Sequence, residues 1–298
     1  MHIVVLSARA GWHTGELCRA LAERRHSGRV LPYEGLVARL GTGVAGGLSI
    51  GSTAIFDADA VLARIIPNGS LEQIIYRVDA LHWIEKRGVL VMNSPRAIER
   101  SVDKFYTTAL LQEAGLPTPE TVVCDSTADA MAAVRTMGDV IVKPIFGSMG
   151  YGMVRMSDPD VALRVVQSLE QLRAVFYVQR TIDHGGRDVR VFVVGGRALG
   201  AIERRAPEGE WRTNVSRGGS AHAFELPTAW RQLAVRAAAA VGADYAGVDL
   251  LPSREGTVFV LEVNGIPGWQ GLQHATGLDV AGAIVDHLLC RVSEARPA

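Results

Sequence analysis

Short apolar runs and amphipathic stretches alternate along the first hundred residues. The runs are compact enough for buried strands, whereas the stretches place apolar residues at helical spacing, as at Leu17, Leu21 and Ala22. Strands that alternate with helices are typical of a parallel sheet. The predicted strands are residues 3–6, 29–33, 60–65 and 89–92, and the predicted helices are residues 14–25 and 71–86. We therefore expect an α/β domain over residues 1–98.

A second pattern begins at Ser94 and Pro95, a pair that opens helices because serine caps the first turn and proline fits within it. Ser101 is placed to cap the next helix, which we expect to end before Gly115. Residues 120–176 then read as strand, helix, strand, glycine-rich loop, strand and helix. We place a domain boundary near residue 98 and a second domain over residues 99–176.

The last part of the chain has the pattern of paired strands with flanking helices. Gly195 and Gly196 separate two apolar strands, which is a strong hairpin signal. The predicted elements are strands at residues 188–194, 198–204, 245–251 and 257–263 and helices at residues 227–241 and 280–292. We assign residues 177–298 to a third domain.

Composition and charge narrow the class of protein. The 298 residues include 31 Lys and Arg and 31 Asp and Glu, so the formal net charge is zero. This balance argues against a general binder of nucleic acid or of a membrane surface, although it leaves room for a local basic cleft. The three cysteines form no metal-binding spacing, which suits free thiols in a reducing compartment. No apolar stretch approaches the roughly 20 residues of a membrane span. We therefore expect a cytoplasmic protein.

Two carboxylates and an amide lie in the last two predicted strands. Glu262 and Asn264 are two residues apart, so their side chains share a face of the strand. If the two strands pair as an antiparallel hairpin, Asp249 lies near Glu262. Hard oxygen ligands of this kind suit Mg²⁺ or Mn²⁺. The alternative, that both carboxylates are surface residues of an edge strand, stays open at this point.

A glycine-rich loop follows the strand that ends at Lys143. Its glycines and Ser148 allow backbone N–H groups to approach an anion, and a lysine beside such a loop suits nucleotide phosphates. The loop is neither a Walker loop nor a dinucleotide fingerprint, because no helix follows it directly. A plain flexible hairpin remains an alternative interpretation.

Basic residues are concentrated around these motifs, and the guanidinium group of arginine is suited to bidentate contact with phosphate or carboxylate. Asp188 and Arg190 alternate on one strand and therefore share a face. The other members of the set are Lys104, Arg204, Arg205, Arg212 and Arg217. Each could be a solvated surface charge, but together with the acidic trio they indicate a phosphoryl-transfer site that works by charge stabilisation and positioning.

From about residue 93 to residue 289, the motifs follow one another in an order that resembles the ATP-grasp superfamily, specifically the branch of the ribosomal-protein-S6 glutamate ligase. The motifs are Asp103 with Lys104, residues 114–119, Lys143 with Pro144, residues 147–150, residues 186–190, residues 212–214, residues 217–219, residues 246–249, residues 262–264, and Pro267 with Gly268. The resemblance implies an ATP-grasp fold, with an N-terminal Rossmann-like pre-ATP-grasp domain and two α+β lobes that clasp ATP.

The resemblance also implies roles for individual residues. Those expected to bind the nucleotide are Lys104, Lys143, Gly147, Ser148, Gly150, Gly152, Gln179, Arg180, Thr181, Ile182, Asp188, Arg212, Thr213 and Asn214. Arg180 stands where the family often has a glutamate. The expected metal ligands are Asp249, Glu262 and Asn264, and the expected catalytic residues are Arg190 and Arg212.

The chemistry that the resemblance implies needs ATP and Mg²⁺ (or Mn²⁺). ATP phosphorylates a carboxylate, and an amine then attacks the acyl phosphate to give an amide, ADP and phosphate. The implied partners are a small-molecule carboxylate acceptor and an amino acid, with no nucleic acid and no membrane. A homo-oligomer, either a dimer or a tetramer, is also implied.

The acceptor is suggested by residues 265–273, which follow the expected metal ligands. Trp269 either stacks on a flat ring or belongs to the core. Residues 268–271 are similar to ATP-grasp proteins of tetrahydromethanopterin biosynthesis in methylotrophic bacteria, which implies addition of glutamate or a similar amino acid to a pterin-type cofactor. The alternatives are glutamate addition to a protein C-terminus, a phosphotransferase, and a non-catalytic nucleotide-binding regulatory protein.

Overall fold

A computed structural model describes residues 1–42, 46–147, 150–213 and 218–295. The chain begins with the predicted alternation of strands and helices, interrupted by three short strands that were not predicted. These elements are β1 (His2–Ser7), α1 (Trp12–Glu23), β2 (Ser27–Pro32), β3 (Leu36–Arg39), β4 (Gly47–Ile50), β5 (Thr53–Ala54), β6 (Ala60–Ala63), α2 (Leu71–Lys86), β7 (Leu90–Met92) and α3 (Pro95–Val102).

The N-terminal sheet has the strand order β2-β1-β6-β7, and all its neighbouring strands are parallel. Successive residues of β1 point to opposite faces, so Ile3 and Val5 lie in one core and Val4 and Leu6 in another. The first core also contains residues of α1 and of the helix that ends the chain, and the second contains residues of α2. Burial on both faces explains why β1 reads as a continuous apolar run.

The structure contains a small antiparallel sheet, with strand order β3-β4-β5, that the sequence pattern did not predict. Leu36, Leu48 and Ile50 anchor it in the core shared with α2. Residues 47–51 have the Gly-x-Ser-x-Gly spacing of a nucleophile elbow, which is a sharp turn from strand to helix. Ser49 instead lies within β4 and accepts a hydrogen bond from Arg39 at 3.0 Å. The motif therefore has no catalytic geometry here.

The cap predicted for the helix after α3 is wrong. Helix α3 continues to Val102, so Ser101 is helical, and its hydroxyl donates to the carbonyl of Ile98 at 3.0 Å. Asp103 has an extended backbone instead, and its carboxylate accepts from the N–H of Tyr106 at 3.0 Å. Asp103 therefore caps the next helix, α4 (Lys104–Glu113).

The middle of the chain forms an antiparallel sheet with the strand order β10-β9-β11-β8. The succession of strands and helices along this part is the predicted one. Its elements are β8 (Thr121–Cys124), α5 (Thr127–Met137), β9 (Val140–Lys143), β10 (Val154–Met156), α6 (Pro159–Gln171) and β11 (Phe176–Arg180). Helices α5 and α6 pack on one face of this sheet and share its core. Alternate residues of β9 and β11, such as Lys143 and Gln179, therefore lie on the other face.

The last sheet is also antiparallel, with the strand order β14-β13-β12-β15-β16. Its elements are β12 (Arg187–Val194), β13 (Arg197–Arg205), β14 (Ser220–Ala223), α7 (Thr228–Val241), β15 (Tyr245–Pro252), β16 (Val258–Asn264), α8 (Gln270–Thr276) and α9 (Val280–Ala295). The predicted hairpin at Gly195 and Gly196 is confirmed, whereas β14 and the short helix α8 were not predicted. Helix α7 covers one face, and Phe192, Ile202 and Tyr245 on the other face join the core that contains α9.

Packing between helices and strands crosses the predicted domain boundaries. Helix α4 contacts α7 and β16, and α9 contacts α1 and β7. The division at residues 98 and 176 therefore stays a prediction. Cys18, Cys124 and Cys290 are free. Within the described ranges, the helices are too short or too polar to cross a membrane. The α/β class predicted from the pattern is confirmed.

Candidate active site

A cleft of about 1190 Å³ lies where the three sheets meet, and its walls carry most of the residues predicted from the sequence. Lys104 and Lys143 come from the middle of the chain, and Asp249, Glu262 and Asn264 come from the last sheet. The cleft therefore brings together the two groups of charged residues that the sequence analysis identified separately.

The hairpin predicted to hold the acidic trio is confirmed. Strands β15 and β16 pair antiparallel, with Asp249 opposite Glu262 and Gly247 opposite Asn264. The register shifts directly after Asp249, which marks a bulge at the site. On the other side of β15, Arg190 of β12 lies opposite Asp249. One row across the sheet therefore carries Arg190, Asp249 and Glu262.

Asp249 is buried in a network of arginines. Arg190 donates to both of its carboxylate oxygens, at 2.6 and 2.7 Å, and Arg204 lies 2.8 Å from it. Burial alone raises the pKa of Asp249, but the charges of Arg190 and Arg204 outweigh burial and hold that pKa below its usual value. Asp249 is therefore ionised at neutral pH.

Arg204 connects Asp249 to a second buried carboxylate. Its guanidinium donates to both oxygens of Asp188, at 2.7 and 2.5 Å, and its side chain is almost fully buried. Thr213 also donates its hydroxyl to Asp188, at 2.8 Å. Asp188 is thus satisfied by protein groups, and it orients Arg204 and Thr213 on the cleft wall.

Glu262 has different surroundings from Asp249. Its carboxylate makes no hydrogen bond or ion pair with the residues that the structure describes, while its charge acts on both Lys104 and Lys143. Asn264 accepts the N–H of Ile266 at 2.9 Å with its amide oxygen. Glu262 therefore keeps the acceptor capacity that a metal ion or another cation needs.

The trio offers two carboxylates and one amide oxygen, which are donor types that suit magnesium. Within the described ranges, no three His, Cys, Asp or Glu side chains come together as a metal-binding group. A site here would then rest on two carboxylates and one amide oxygen, with further oxygens from phosphate or water. This is the ligand set that Mg²⁺ prefers, because it keeps several waters or phosphate oxygens and takes few carboxylates.

The two lysines occupy different settings in the cleft. Lys143, at the end of β9, is buried, donates to Gln179 at 2.5 Å and lies 5.8 Å from the centre of the Tyr177 ring. Burial lowers the pKa of Lys143 to about 8, and the charge of Glu262 opposes the shift. Lys104 donates to the backbone carbonyl of Gly147 at 2.8 Å, and burial lowers its pKa too. Both ammonium groups would gain from a phosphate beside them.

The glycine-rich loop adopts backbone angles that favour glycine. Gly147, Gly150 and Gly152 have positive φ values of 139°, 71° and 72°. Gly147 and Gly150 line the cleft, whereas Gly152 lies beside the ring of Pro144. Ser148 lies outside the described residues. The loop therefore places backbone at the cleft wall next to Lys104 and Lys143.

Residues 179–182, which are expected to bind the nucleotide, differ in their surroundings. Gln179, Arg180 and Ile182 line the cleft. Arg180 donates to Glu120 at 2.8 and 2.5 Å, and Thr181 donates to Asp139 at 3.0 Å. The structure does not bring Thr181 to the cleft wall.

Arg212 also lies on the cleft wall, next to Trp211 and Thr213. Its guanidinium donates to Glu210 at 3.1 and 2.9 Å and lies 5.3 Å from the centre of the Trp211 ring. These hydrogen bonds lower the pKa of Glu210 to about 2. Asn214 and Arg217 lie outside the described residues.

Trp269, the residue proposed to stack on an acceptor ring, belongs to the core. It is 1% exposed and is surrounded by Arg64, at 4.8 Å, and by the rings of His13, Phe192 and Trp12. The sequence left both interpretations open, because the burial of Trp269 depends on His13 and Arg64, which lie more than two hundred positions away in the chain. The stacking interpretation is wrong for this conformation.

The contribution of the N-terminal sheet to the cleft was not predicted from the sequence. Residues 7–14, which follow β1, and residues 64–68, which follow β6, line the same cleft as Lys143 and Asp249. One signal was available, because ligands of parallel sheets bind at the carboxyl ends of the strands. The pattern could not show that this end of the sheet meets the rest of the site.

Comparisons with known proteins agree with this geometry. The family described as RimK-like ATP-grasp domain matches residues 101–288. A relative from Methanosarcina acetivorans, described as tetrahydromethanopterin:alpha-L-glutamate ligase, is 36% identical over 265 residues, which cover 80% of this chain and 82% of the relative. A probable alpha-L-glutamate ligase from Trichodesmium erythraeum is 40% identical over 227 residues, which cover 75% of this chain and 76% of the relative.

Solved structures share the fold. The RimK domain protein ATP-grasp from Sphaerobacter thermophilus has a TM-score of 0.73 at 23% identity, covering 97% of this chain and 100% of that one. The ATP-grasp ligase PsnB, solved with a precursor variant, Mg and ADP, has a TM-score of 0.73 at 24% identity, covering 97% and 98%. These likenesses confirm the ATP-grasp fold expected from the motifs. With the family match and the curated relatives, they show that the chain belongs to the RimK-like ATP-grasp family and is an ATP-grasp ligase.

Proposed function

We propose that this ligase uses ATP and Mg²⁺ to join glutamate, or a similar amino acid, to the carboxylate of a pterin-type cofactor. The proposal depends on one observation: Lys104 and Lys143 line the same cleft as Asp249, Glu262 and Asn264. The negative charge of Glu262 acts on both lysines. Two cations and a set of oxygen ligands around one space suit a metal-bound triphosphate. The pterin acceptor is supported by the relative described as tetrahydromethanopterin:alpha-L-glutamate ligase.

The proposed reaction has two steps. A carboxylate oxygen of the acceptor attacks the γ-phosphorus of ATP, the bond from that phosphorus to ADP breaks, and an acyl phosphate forms. The amine of glutamate then attacks the acyl carbon, phosphate leaves, and an amide is produced. The proton lost by the amine goes to solvent or to the departing phosphate.

Different residues would bind phosphate, stabilise the developing charge and hold the metal ion. Lys104 and Lys143 would hold phosphate oxygens, and Arg190 and Arg212 would stabilise the negative charge that develops at the transferred phosphoryl group and the acyl centre. Asp249, Glu262 and Asn264 would hold Mg²⁺, which polarises phosphoryl oxygens when bound. Mn²⁺ is proposed as a substitute, since it accepts the same oxygen ligands.

The glycine-rich loop is proposed to close over the phosphates. Phe146 is largely exposed beside Gly147, while Lys104 holds the loop through the carbonyls of Ile145 and Gly147. When phosphates bind Lys104, they compete with those carbonyls, so the loop would be free to move over the ligand. A closed loop would keep water from the acyl phosphate, which otherwise hydrolyses.

Glutamate addition to a protein or peptide is the second candidate. It is favoured by the neighbouring PsnB structures, which were solved with a precursor peptide. The cleft is open to solvent and lies beside the exposed Val102, so an extended chain could reach it.

We also propose that the ligase is located in the cytoplasm and assembles into a dimer or tetramer. Light scattering would measure the size of the assembly.

A coupled assay tests the proposal. The protein is supplied with ATP, Mg²⁺ and glutamate, together with either a pterin carboxylate or a peptide with a free C-terminus. We expect ADP and phosphate only when glutamate and the pterin carboxylate are both present, and a product heavier by one glutamate residue. Turnover with the peptide alone would favour the second candidate. ATP binding with no turnover on either acceptor would contradict both.

A further inference from the structure

The N-terminal sheet has a crevice at its switch point. Strand β1 lies between β2 and β6, and the chain leaves β1 toward β2 on one side but returns to β6 on the other. The connections therefore diverge at the carboxyl ends of β1 and β6, which leaves a crevice between them. Residues 7–14 and residues 64–68 line it, and it opens into the cleft that holds Lys143 and Asp249.

The crevice presents an exposed aromatic ring. Trp12, the first residue of α1, is 38% exposed and lines the cleft, and the exposed Ile65 lies on the same wall. Trp12 offers a large, flat, apolar surface that loses little conformational freedom on binding. An exposed tryptophan in a concave site is therefore suited to stack on a flat ring of a ligand.

Trp12 packs against the half-buried His13, which in turn packs against the buried Trp269. Its ring meets His13 edge to face at 5.0 Å, and His13 meets Trp269 in the same way at 4.6 Å. His13 also accepts the backbone N–H of Trp269, at 3.1 Å, through Nε2. Burial and the charge of Arg64 lower the pKa of His13 to about 4, so its ring is neutral at neutral pH.

These packed rings connect the crevice to the segment that follows the expected metal ligands. Arg64, 2% exposed, lies over Trp269 and donates to the carbonyl of Pro267 at 2.9 Å and to the hydroxyl of Tyr245 at 3.2 Å. Pro267 comes three residues after Asn264. The distance between Trp12 and the phosphate end of the cleft is therefore held by packed side chains from both ends of the chain.

We propose that Trp12 is the platform on which the flat ring of the acceptor stacks, with the acceptor carboxylate reaching toward Lys143 and Glu262. The proposal rests on the ligase function above and adds its acceptor subsite. In this arrangement Trp269 supports Trp12 through His13 and does not touch the acceptor. The ring recognised here is flat and aromatic, and it carries a carboxylate on a side arm long enough to reach the phosphates.

Two substitutions test whether binding needs the aromatic ring of Trp12 or only an apolar side chain. Trp12→Leu keeps an apolar side chain but removes the flat ring, whereas Trp12→Phe keeps a ring. Tyr76→Leu is the matched control, because Tyr76 has a similar exposure and does not line the cleft. Equilibrium binding of a pterin carboxylate, without ATP, is measured for all four proteins, and their thermal midpoints show whether each is folded.

We expect Trp12→Leu to weaken binding of the pterin carboxylate about tenfold or more, with most of the affinity restored in Trp12→Phe and no change in Tyr76→Leu. ATP affinity should be the same in all four. Equal affinity of the wild type and Trp12→Leu for the pterin, or no binding by the wild type, would overturn the proposal. If binding follows this order but no amide forms, the Trp12 subsite stands and the proposed ligation fails.

Discussion

Asp249 and Glu262 lie opposite each other on neighbouring strands, yet their carboxylates have different surroundings. Asp249 is buried and bound by Arg190 and Arg204, so its removal would disturb the fold as well as the site. Glu262 is only half-buried, and its charge acts on Lys104 and Lys143. Glu262 is therefore the better residue for testing the metal site alone.

The substitution Glu262→Gln removes one negative charge and changes little else. Because Glu262 is a proposed magnesium ligand and a neutral amide holds the cation more weakly, we expect turnover to fall by about 100-fold or more at saturating Mg²⁺. Glu255→Gln, in the exposed turn of the same hairpin, is the matched control and should keep wild-type activity. ADP release measured against Mg²⁺ concentration compares the two. Wild-type metal dependence in Glu262→Gln would remove Glu262 from the metal site.

Residue-scale prediction from sequence was limited by partners that lie far away in the chain. Strand periodicity was enough to place Glu262 and Asn264 on one face, because that is a local property. It could not decide whether Trp269 faced a ligand. Its burial comes from His13 and Arg64, which reach it from the other end of the chain.

At the scale of elements, β13 shows how alternation separates two neighbouring arginines. Arg204 points inward and joins Asp188 to Asp249, with 5% of its side chain exposed, whereas the side chain of Arg205 is 64% exposed and pairs with Glu203. Loss of Arg204 would leave two buried carboxylates without their shared cation, which is costly. Loss of the exposed Arg205 would leave the buried Glu203 with its second partner, Arg187, at 3.4 Å.

We predict that Arg204→Ala lowers the free energy of unfolding by about 3–5 kcal/mol, because Asp188 and Asp249 then lose their shared buried cation. Arg205→Ala should lower it by at most about 1 kcal/mol. Urea unfolding of the two variants under the same conditions gives both values. Equal losses would mean that the buried network does not support the last sheet.

Elements with a strong local signal were predicted well, and weak ones were missed. Helix α2 has the predicted bounds, Leu71–Lys86, because Ser70 and Gln73 cap it reciprocally, at 3.3 and 3.1 Å, and Gly88 follows it. Strands β3, β4 and β5 are short and interrupted by glycines, and α8 has two turns. Their stability comes from tertiary packing, which a local pattern does not contain.

At the scale of the whole molecule, the N-terminal sheet is joined to the last sheet by Asn93. Its amide donates to the carbonyls of Tyr245 and Gly265, at 2.8 and 2.5 Å, and accepts the N–H groups of Asp244 and Tyr245, at 2.7 and 3.1 Å. Asn93 is fully buried, and its bonds to Tyr245 and Gly265 are buried with it. The relative position of Trp12 and Glu262 depends on this contact.

Asn93→Ala leaves several buried backbone groups without partners, so we expect the free energy of unfolding to fall by about 3 kcal/mol or more. Asn68→Ala is the control, because Asn68 is exposed. Chemical unfolding followed by circular dichroism measures both. A loss in Asn93→Ala no larger than in Asn68→Ala would contradict the role of Asn93 in joining the sheets.

In the proposed reaction, the acceptor carboxylate attacks ATP directly. A pterin carboxylate labelled with ¹⁸O in its carboxyl group tests it, with ATP, Mg²⁺ and glutamate supplied and the released phosphate analysed by mass spectrometry. An acyl phosphate transfers one acceptor oxygen to phosphate, so we predict one ¹⁸O atom in phosphate for each amide formed. Amide formation with unlabelled phosphate would rule out attack of the acceptor carboxylate on ATP.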